Sequence, residues 1–345
     1  KREKKPKFKC PTLIFKLFFP KKNLRSQTLV NFAKNLINMT LSYAIIGTGA
    51  LGGYYGGRLA KSGNNVHFLL HSDYEYVKAN GLKVNSVTGD FVINPINAYK
   101  STSELPKCDV VLVCMKTTQN HLLKDMLPPI LHDNSVIILL QNGVCLEEEL
   151  AVQFPNHTIM GAMAFICSSK TGKGEISHFD YGKINAGVFQ HDKEEIVLQI
   201  KNDFDKAEVP FDIAPDLALA RWKKLVWNIP YNGLTVALNT TTDKIMKSAA
   251  ARQLVIDMMN EVVDAANACN VKLERNFVDE MLTLTDNMTP YSPSMKLDFD
   301  NRRKMEIRAI YSNPIDKAKR HGYHMKKVEM LQQQLFFIEE NIIFC

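Results

Sequence analysis

The chain has 345 residues, 46% of them apolar and 23% charged, a balance that suits a globular protein with room for two domains and excludes a disordered or collagen-like chain. The formal charge of +7 is misleading, because residues 1–38 hold 11 Lys/Arg against one Glu while residues 39–345 hold 32 against 35 Asp/Glu. The body of the protein is therefore close to neutral, which argues against a nucleic-acid partner.

Lys1 to Lys9 is a charge run, and Leu13 to Phe19 is an apolar patch broken by Lys16. That patch is too short to span a bilayer. It lacks the small-residue cleavage site of a secretory signal. Pro6, Pro11 and Pro20 suit the amphipathic helix of a transit peptide poorly. Met39 stands just before the first strand, as an initiator would. Residues 1–38 are expected to be a basic extension outside the fold. The seven cysteines, at 10, 108, 114, 145, 167, 269 and 345, include no Cys-x-x-Cys spacing. They read as reduced, mostly buried thiols of a cytoplasmic protein. No cluster with metal-ligand spacing is evident, so no metal is expected.

Leu41 to Ile46 is an apolar run that ends in Gly47-Thr48-Gly49-Ala50-Leu51-Gly52. A helix-like stretch, Tyr54 to Lys61, follows and closes at Gly63. Strand, Gly-x-Gly-x-x-Gly turn and helix in this order form a dinucleotide-binding fingerprint. Gly47 lets the chain turn sharply, Gly49 lets the backbone approach a pyrophosphate, and Gly52 lets helix and strand pack closely. The helix N-terminus adds free N–H groups and positive dipole. The competing reading is a glycine-rich turn in an unrelated α/β protein.

The next strand, Asn65 to Leu70, ends at His71-Ser72-Asp73. A site for NAD usually has a carboxylate here for the ribose 2′-hydroxyl. Leu70 and His71 occupy those places, so His71 and Ser72 read as partners of a 2′-phosphate, which favours NADP; the alternative is that His71 opens a surface loop. Tyr74 to Asn80 reads as a short helix, and Leu82–Ser86 with Phe91–Pro95 as a hairpin. Asp109 to Met115 and Asn134 to Leu140 are apolar strands, ending at Lys116 and at Gln141-Asn142-Gly143. A helix to about Met126 separates them. Alternating strands and helices predict a parallel, doubly wound sheet with ligands beyond the strands' C-terminal ends. Gly47, His71, Lys116 and Asn142 all fall at such ends.

Residues 158–189 predict shorter antiparallel strands at a sheet edge, with turns at Thr171–Gly174 and Asp180–Gly182. Lys193 to Lys206 reads as a helix. After Pro210 and Pro215 the pattern is helical, over 216–228, 249–269, 274–285 and 301–320. Fold class is thus α/β: an N-terminal Rossmann-type doubly wound sheet over 39–212 and a C-terminal all-helical substrate and catalytic domain over 213–345.

Lys224, Asn228 and Asn232 recur at i, i+4 and i+8 within the apolar segment Arg221–Leu238. One helix face then carries a cation and two amides. A functional stripe is one reading and a solvated polar face the other. Pro230 is expected to bend or interrupt this helix. Ser294 sits on a turn before a helix, where its hydroxyl suits a carboxylate. Glu306, close to Arg302, Arg303 and Lys304, reads on residue physics alone as a surface ion-pair residue.

From about Leu41 to near the C-terminus the chain resembles the ketopantoate reductase (2-dehydropantoate 2-reductase) family. The resemblance rests on Gly47-x-Gly49-x-x-Gly52, Val113-Cys-Met-Lys116, Gln141-Asn142-Gly143, Trp222-x-Lys224-Leu-x-x-Asn228-x-x-x-Asn232-x-Leu-Thr, and Ser294-Met with Glu306 twelve residues on. It implies NADPH as cofactor and a small 2-keto acid as substrate. It implies Lys224 as general acid and Glu306 as an assistant at the reacting hydroxyl. Asn228 and Asn232 are then partners of substrate hydroxyls, Ser294 holds the substrate carboxylate, and Lys116 and Asn142 face cofactor and active-site lysine. The chain departs from the family pattern at His71, where Arg is usual, and at Gly233, where Pro is common. The implied activity is reduction of ketopantoate to pantoate in the cytoplasm, with a homodimer as the assembly to test and no membrane or nucleic-acid partner. The alternatives are a reductase of another 2-keto acid, an opine-type dehydrogenase, or a catalytically silent nucleotide-binding protein.

Overall fold

The computed structural model describes residues 40–288 and 292–343; the basic extension, Tyr291, Cys10 and Cys345 lie outside them. Contacts divide these residues into two compact units: 40–221 with Lys304–Pro314, and Trp222–Arg303 with 315–343.

In the first unit the chain runs through β1 (Ser42–Ile46), α1 (Ala50–Lys61), β2 (Asn65–Leu69), α2 (Tyr74–Asn80), β3 (Leu82–Ser86), β4 (Phe91–Ile93), β5 (Asn97–Tyr99) and β6 (Val110–Val113). It continues through α3 (Leu123–Met126), β7 (Val136–Leu140), α4 (Leu146–Gln153), β8 (Thr158–Gly172), β9 (Glu175–Gln190), α5 (Glu194–Lys206) and β10 (Phe211–Ile213). All ten described strands join one sheet, ordered β4-β3-β9-β8-β7-β6-β1-β2-β5, with β10 also on β9. The run from β8 to β5 is parallel, with Ile45 level with Phe68 on one side and Leu112 on the other. Alternate residues feed two cores. Tyr43, Ile45, Leu112 and Ile138 enter one, and Ala44, Ile46, Val111 and Ile137 the other. Burial on both faces is why these strands read as unbroken apolar runs.

Two expectations are corrected here. Residues 158–190 form two long antiparallel strands inside the sheet, not short ones at its edge; β3 and β4 lie beyond β9. The Asp180–Gly182 segment is not a turn. It bulges β9, with register shifts opposite Phe165–Ser168 and positive φ at Tyr181 (63°) and Gly182 (123°). A bulge and a turn draw on the same residues, so composition could not separate them. The stretch between the two prolines is the strand β10.

Helix α6 (Leu217–Ala237) is continuous through Pro230, and the division between units falls inside it, between Arg221 and Trp222. An interior proline costs about 3 kcal/mol. Burial of Val226, Ile229, Tyr231 and Leu234 around it offsets that cost. The second unit continues with α7 (Thr242–Lys247), α8 (Ala249–Ala268), α9 (Asn276–Asp286), α10 (Ser294–Asp300), α11 (Asn313–Arg320) from Ile315 onward, and α12 (Lys326–Ile338). Val255, Met258, Met259 and Val262 of α8 and Leu331 and Leu335 of α12 are buried. The Glu261 carboxylate accepts the first N–H groups of α12, from Lys327 and Val328, at 3.0–3.1 Å. A carboxylate there satisfies orphan donors and suits the helix dipole.

Residues 301–320 are not one helix. Residues 303–306 form no regular element, and helix starts only at Ile307, with a π segment over Arg308–Ser312. The stretch Lys304–Pro314 belongs to the sheet-bearing unit. Among the described residues no helix is long and apolar enough to cross a membrane. The five described cysteines are free; Cys108 is buried, whereas Cys114, Cys145, Cys167 and Cys269 are only partly so. Burial pushes the Cys108 thiol up to about 11, which keeps it protonated and unreactive at neutral pH.

Candidate active site

The β1–α1 connection has the geometry of a phosphate cradle. Gly47 adopts φ +96°, and a Cβ there would press on the Met115 backbone. Gly49 donates its N–H to the Gly47 carbonyl at 2.9 Å. A Cβ at Gly49 would meet nothing within 4 Å, so space is open where the backbone must approach a ligand. α1 starts at Ala50, earlier than the expected Tyr54, so Ala50, Leu51 and Gly52 form its first turn. That turn has no side-chain cap and no acidic residue, which leaves its N–H groups and dipole for an anion. Thr48 ties the loop to β2, its hydroxyl donating to the Leu69 carbonyl at 2.8 Å. A Cβ at Gly52 would collide with the Gly47 carbonyl oxygen. Gly52→Ala is therefore expected to displace the turn, lowering the melting temperature by an amount equivalent to about 1–3 kcal/mol. NADPH affinity should fall with it. Differential scanning fluorimetry and a cofactor titration check both, and native values for both would refute the close-packing role.

At the end of β2, His71 and Ser72 are exposed, as an adenosine-ribose site requires. Asp73, the first carboxylate after this strand, is buried and committed. Its Oδ2 accepts the Gly174 N–H at 2.9 Å and pairs with Lys170 Nζ at 2.8 Å. The commonest NAD-type ribose acceptor is thus unavailable at this strand end.

At the end of β6 the sequence reading of Glu306 is reversed. Its side chain is 6% exposed and is no surface ion-pair residue. Oε1 accepts the Thr117 N–H at 2.9 Å and the Thr117 hydroxyl at 2.8 Å, while Oε2 lies 3.5 Å from Lys116 Nζ. The irregular stretch 303–306 leads to it. At the end of β7, Asn142 is half-buried, and Gly143 at φ +110° sits against the Ala309 carbonyl, which accepts the Val144 N–H at 3.3 Å. Lys116, Asn142 and Glu306 are thus held by adjacent strand ends and one returning segment of the same unit.

In the helical unit, Lys224, Asn228 and Asn232 fall on one face of α6, as the spacing predicts. Asn228 is 4% and Asn232 1% exposed, so this is not a solvated face. The neighbouring Lys223 has its Nζ 4.9 Å from the centre of the Phe277 ring, and burial lowers its pKa. Ser294 is half-buried and is the first residue of α10 rather than a turn residue before it.

Sequence reasoning missed Thr117, and it missed the buried pair Arg221–Glu147. Charged residues default to the surface, and only the apolar Leu217–Ala220 run beside Arg221 hints otherwise.

Family models described as ketopantoate reductase PanE/ApbA and its C-terminal domain match residues 43–191 and 216–339. The chain belongs to this family. A 2-dehydropantoate 2-reductase from a Nostoc species is 46% identical over 302 residues, covering 86% of this chain and 95% of the relative. Among solved structures, 2-dehydropantoate 2-reductases from Geobacter metallireducens (40% identity, TM-score 0.83) and Methylococcus capsulatus (31%, 0.82) cover 86% and 88% of this chain. They cover 99% and 98% of their own lengths. The ketopantoate reductase fold accounts for both units: a Rossmann-like N-terminal region and a helical C-terminal one.

Proposed function

We propose that this chain is a cytoplasmic 2-dehydropantoate 2-reductase, reducing ketopantoate to pantoate with NADPH. Family membership and the 46% identity to a relative of that name support the activity. The observation that carries the site is the buried stripe on α6: a lysine followed at i+4 and i+8 by two nearly buried amides. Such a face suits a small polar ligand.

The first-turn N–H groups of Ala50–Gly52 and the open flank of Gly49 suit the cofactor pyrophosphate. His71 and Ser72 are the proposed partners of the 2′-phosphate. Bound NADPH supplies the hydride. Lys224 protonates the ketone oxygen and stabilises the negative charge that grows there. Asn228 and Asn232 orient the substrate through its hydroxyls, and Ser294 holds its carboxylate. Glu306 receives and orients the nascent hydroxyl. Lys116 and Asn142 bear on the cofactor.

The test is NADPH absorbance loss with a panel of 2-keto acids. Ketopantoate should give the highest kcat/KM; a higher value for another acid would replace the substrate assignment but keep the reductase. One methyl or hydroxyl changes discrimination by only about 1–3 kcal/mol in an apolar pocket, so the panel must include near isosteres. His71→Arg should tighten NADPH more than NADH, because a guanidinium pairs bidentately with phosphate and an imidazole cannot. Fluorescence titration gives the two Kd values; an unchanged ratio would remove His71 from the ribose site.

A further inference from the structure

We propose that Gln141 and the Arg221–Glu147 pair are positioning residues that fix Lys116 and Asn142 at the ends of β6 and β7. The inference rests on the proposed reading of those two residues. Gln141 immediately precedes Asn142 and is 5% exposed. Its Nε2 donates to the Met115 carbonyl at 2.7 Å, one residue before Lys116. The same amide is bonded both ways with Asn120, Nε2 to Oδ1 at 2.7 Å and Nδ2 to Oε1 at 3.1 Å. One side chain thus joins both strand ends and the 3-10 turn that follows Lys116.

The Gln141 backbone is held from the other side. Arg221 Nη1 donates to the Gln141 carbonyl, and Nη2 donates to the Leu139 carbonyl at 3.3 Å. Arg221 is in turn paired with Glu147 of α4 through Nε at 3.1 Å and through Nη2. Both side chains are 3% exposed. The sheet makes room for them. Gly161 lies level with Leu139 on β8, and a Cβ there would strike both Glu147 Oε1 and Arg221 Nη2.

Stability alone does not explain such an arrangement. A buried ion pair is often no more stable than well-packed apolar residues of similar volume. What this pair supplies that apolar residues cannot is a donor fork aimed at two carbonyls, one of them beyond the last ladder bond of β7. Fixed carbonyls at that point set the exit direction of the chain into Asn142. The loop's far side is set by Gly143 and Val144 against Ala309 and by Asn313 Nδ2 on the Val144 carbonyl at 2.8 Å.

The test compares wild type with the double variant Glu147→Leu/Arg221→Met, which removes both charges together and keeps the volume apolar. Its melting temperature is expected near or above the wild-type value. Its Kd for NADPH should rise about 10-fold and its kcat fall about 100-fold, the scale of a displacement of about 1 Å at a catalytic group. A folded double variant with native Kd and kcat overturns the proposal. Gln141→Met is the second arm, since it keeps the ion pair and loses only the bonds to Met115 and Asn120. It should move Kd and kcat in the same direction, and native values in this folded variant overturn the proposal when the double variant does not fold. A wild-type protein that binds NADPH but does not reduce ketopantoate would refute the substrate reading alone, and the Kd comparison would still decide the role of Gln141.

Discussion

Lys224→Ala is expected to lower kcat with ketopantoate by roughly two to four orders of magnitude, the loss associated with a positioned proton donor. NADPH affinity should stay nearly unchanged, because the proposed pyrophosphate cradle, Gly47–Gly52, belongs to the other unit. The fold should also survive, since the apolar core of α6 is built from Trp222, Leu225, Val226 and Ile229. Lys223→Met is the matched control. Its ammonium lies over the Phe277 ring, so this variant tests lost packing beside an intact stripe. It should lose stability more than kcat. Stopped-flow turnover, NADPH fluorescence and thermal melts separate the three quantities. Near-native kcat in Lys224→Ala would end its assignment as proton donor, and loss of fold would mark the lysine as structural.

Glu306→Gln should lower kcat by roughly 10²-fold with little change in melting temperature. The magnitude is that of a side chain acting on a proton in the transition state. The small stability effect follows from the geometry. A glutamine carbonyl at Oε1 can still accept the Thr117 N–H and hydroxyl, at 2.9 and 2.8 Å in the native protein. Only the contact from Oε2 to Lys116 Nζ, 3.5 Å and partly solvated, loses its charge. Glu306→Leu is the contrasting variant: it leaves the Thr117 groups without their acceptor and should lower stability as well as rate. A Glu306→Gln enzyme with native kcat would show that the carboxylate serves only to hold Thr117.

Much of the first unit was legible because a parallel strand covered on both faces has a simple signature. β1, β6 and β7 are unbroken apolar runs, and the turn after β1 needs glycines for steric reasons that act locally. The α6 stripe was legible for the same reason: helical spacing is a local property, and amides recurring at i and i+4 in an apolar segment leave few alternatives. Illegible features depended on distant partners. Glu306 is flanked in sequence by Arg302, Arg303 and Lys304, and nothing local says that the chain leaves one unit there to reach the end of a strand in the other. Arg221 and Glu147 are 74 positions apart, and each alone reads as surface charge. β9 was misread because a bulge in its middle carries the residues of a turn. Of the two outcomes expected at Pro230, interruption does not occur, because burial outweighs the local penalty.

The return of Lys304–Pro314 to the sheet-bearing unit has a consequence for how the protein is made. When Arg221 leaves the ribosome, every strand of the sheet has been synthesised, yet the groups that close on Thr117 and Gly143 have not. They arrive more than 80 residues later, a delay on the order of 4–16 s at ordinary elongation rates. During that interval the end of β6 and the loop after β7 stand uncovered. The nascent nucleotide-binding half should therefore be open to proteases and chaperones at these two points. A fragment ending at Arg221 should remain in that condition permanently, and adding a peptide spanning Lys304–Pro314 should protect it.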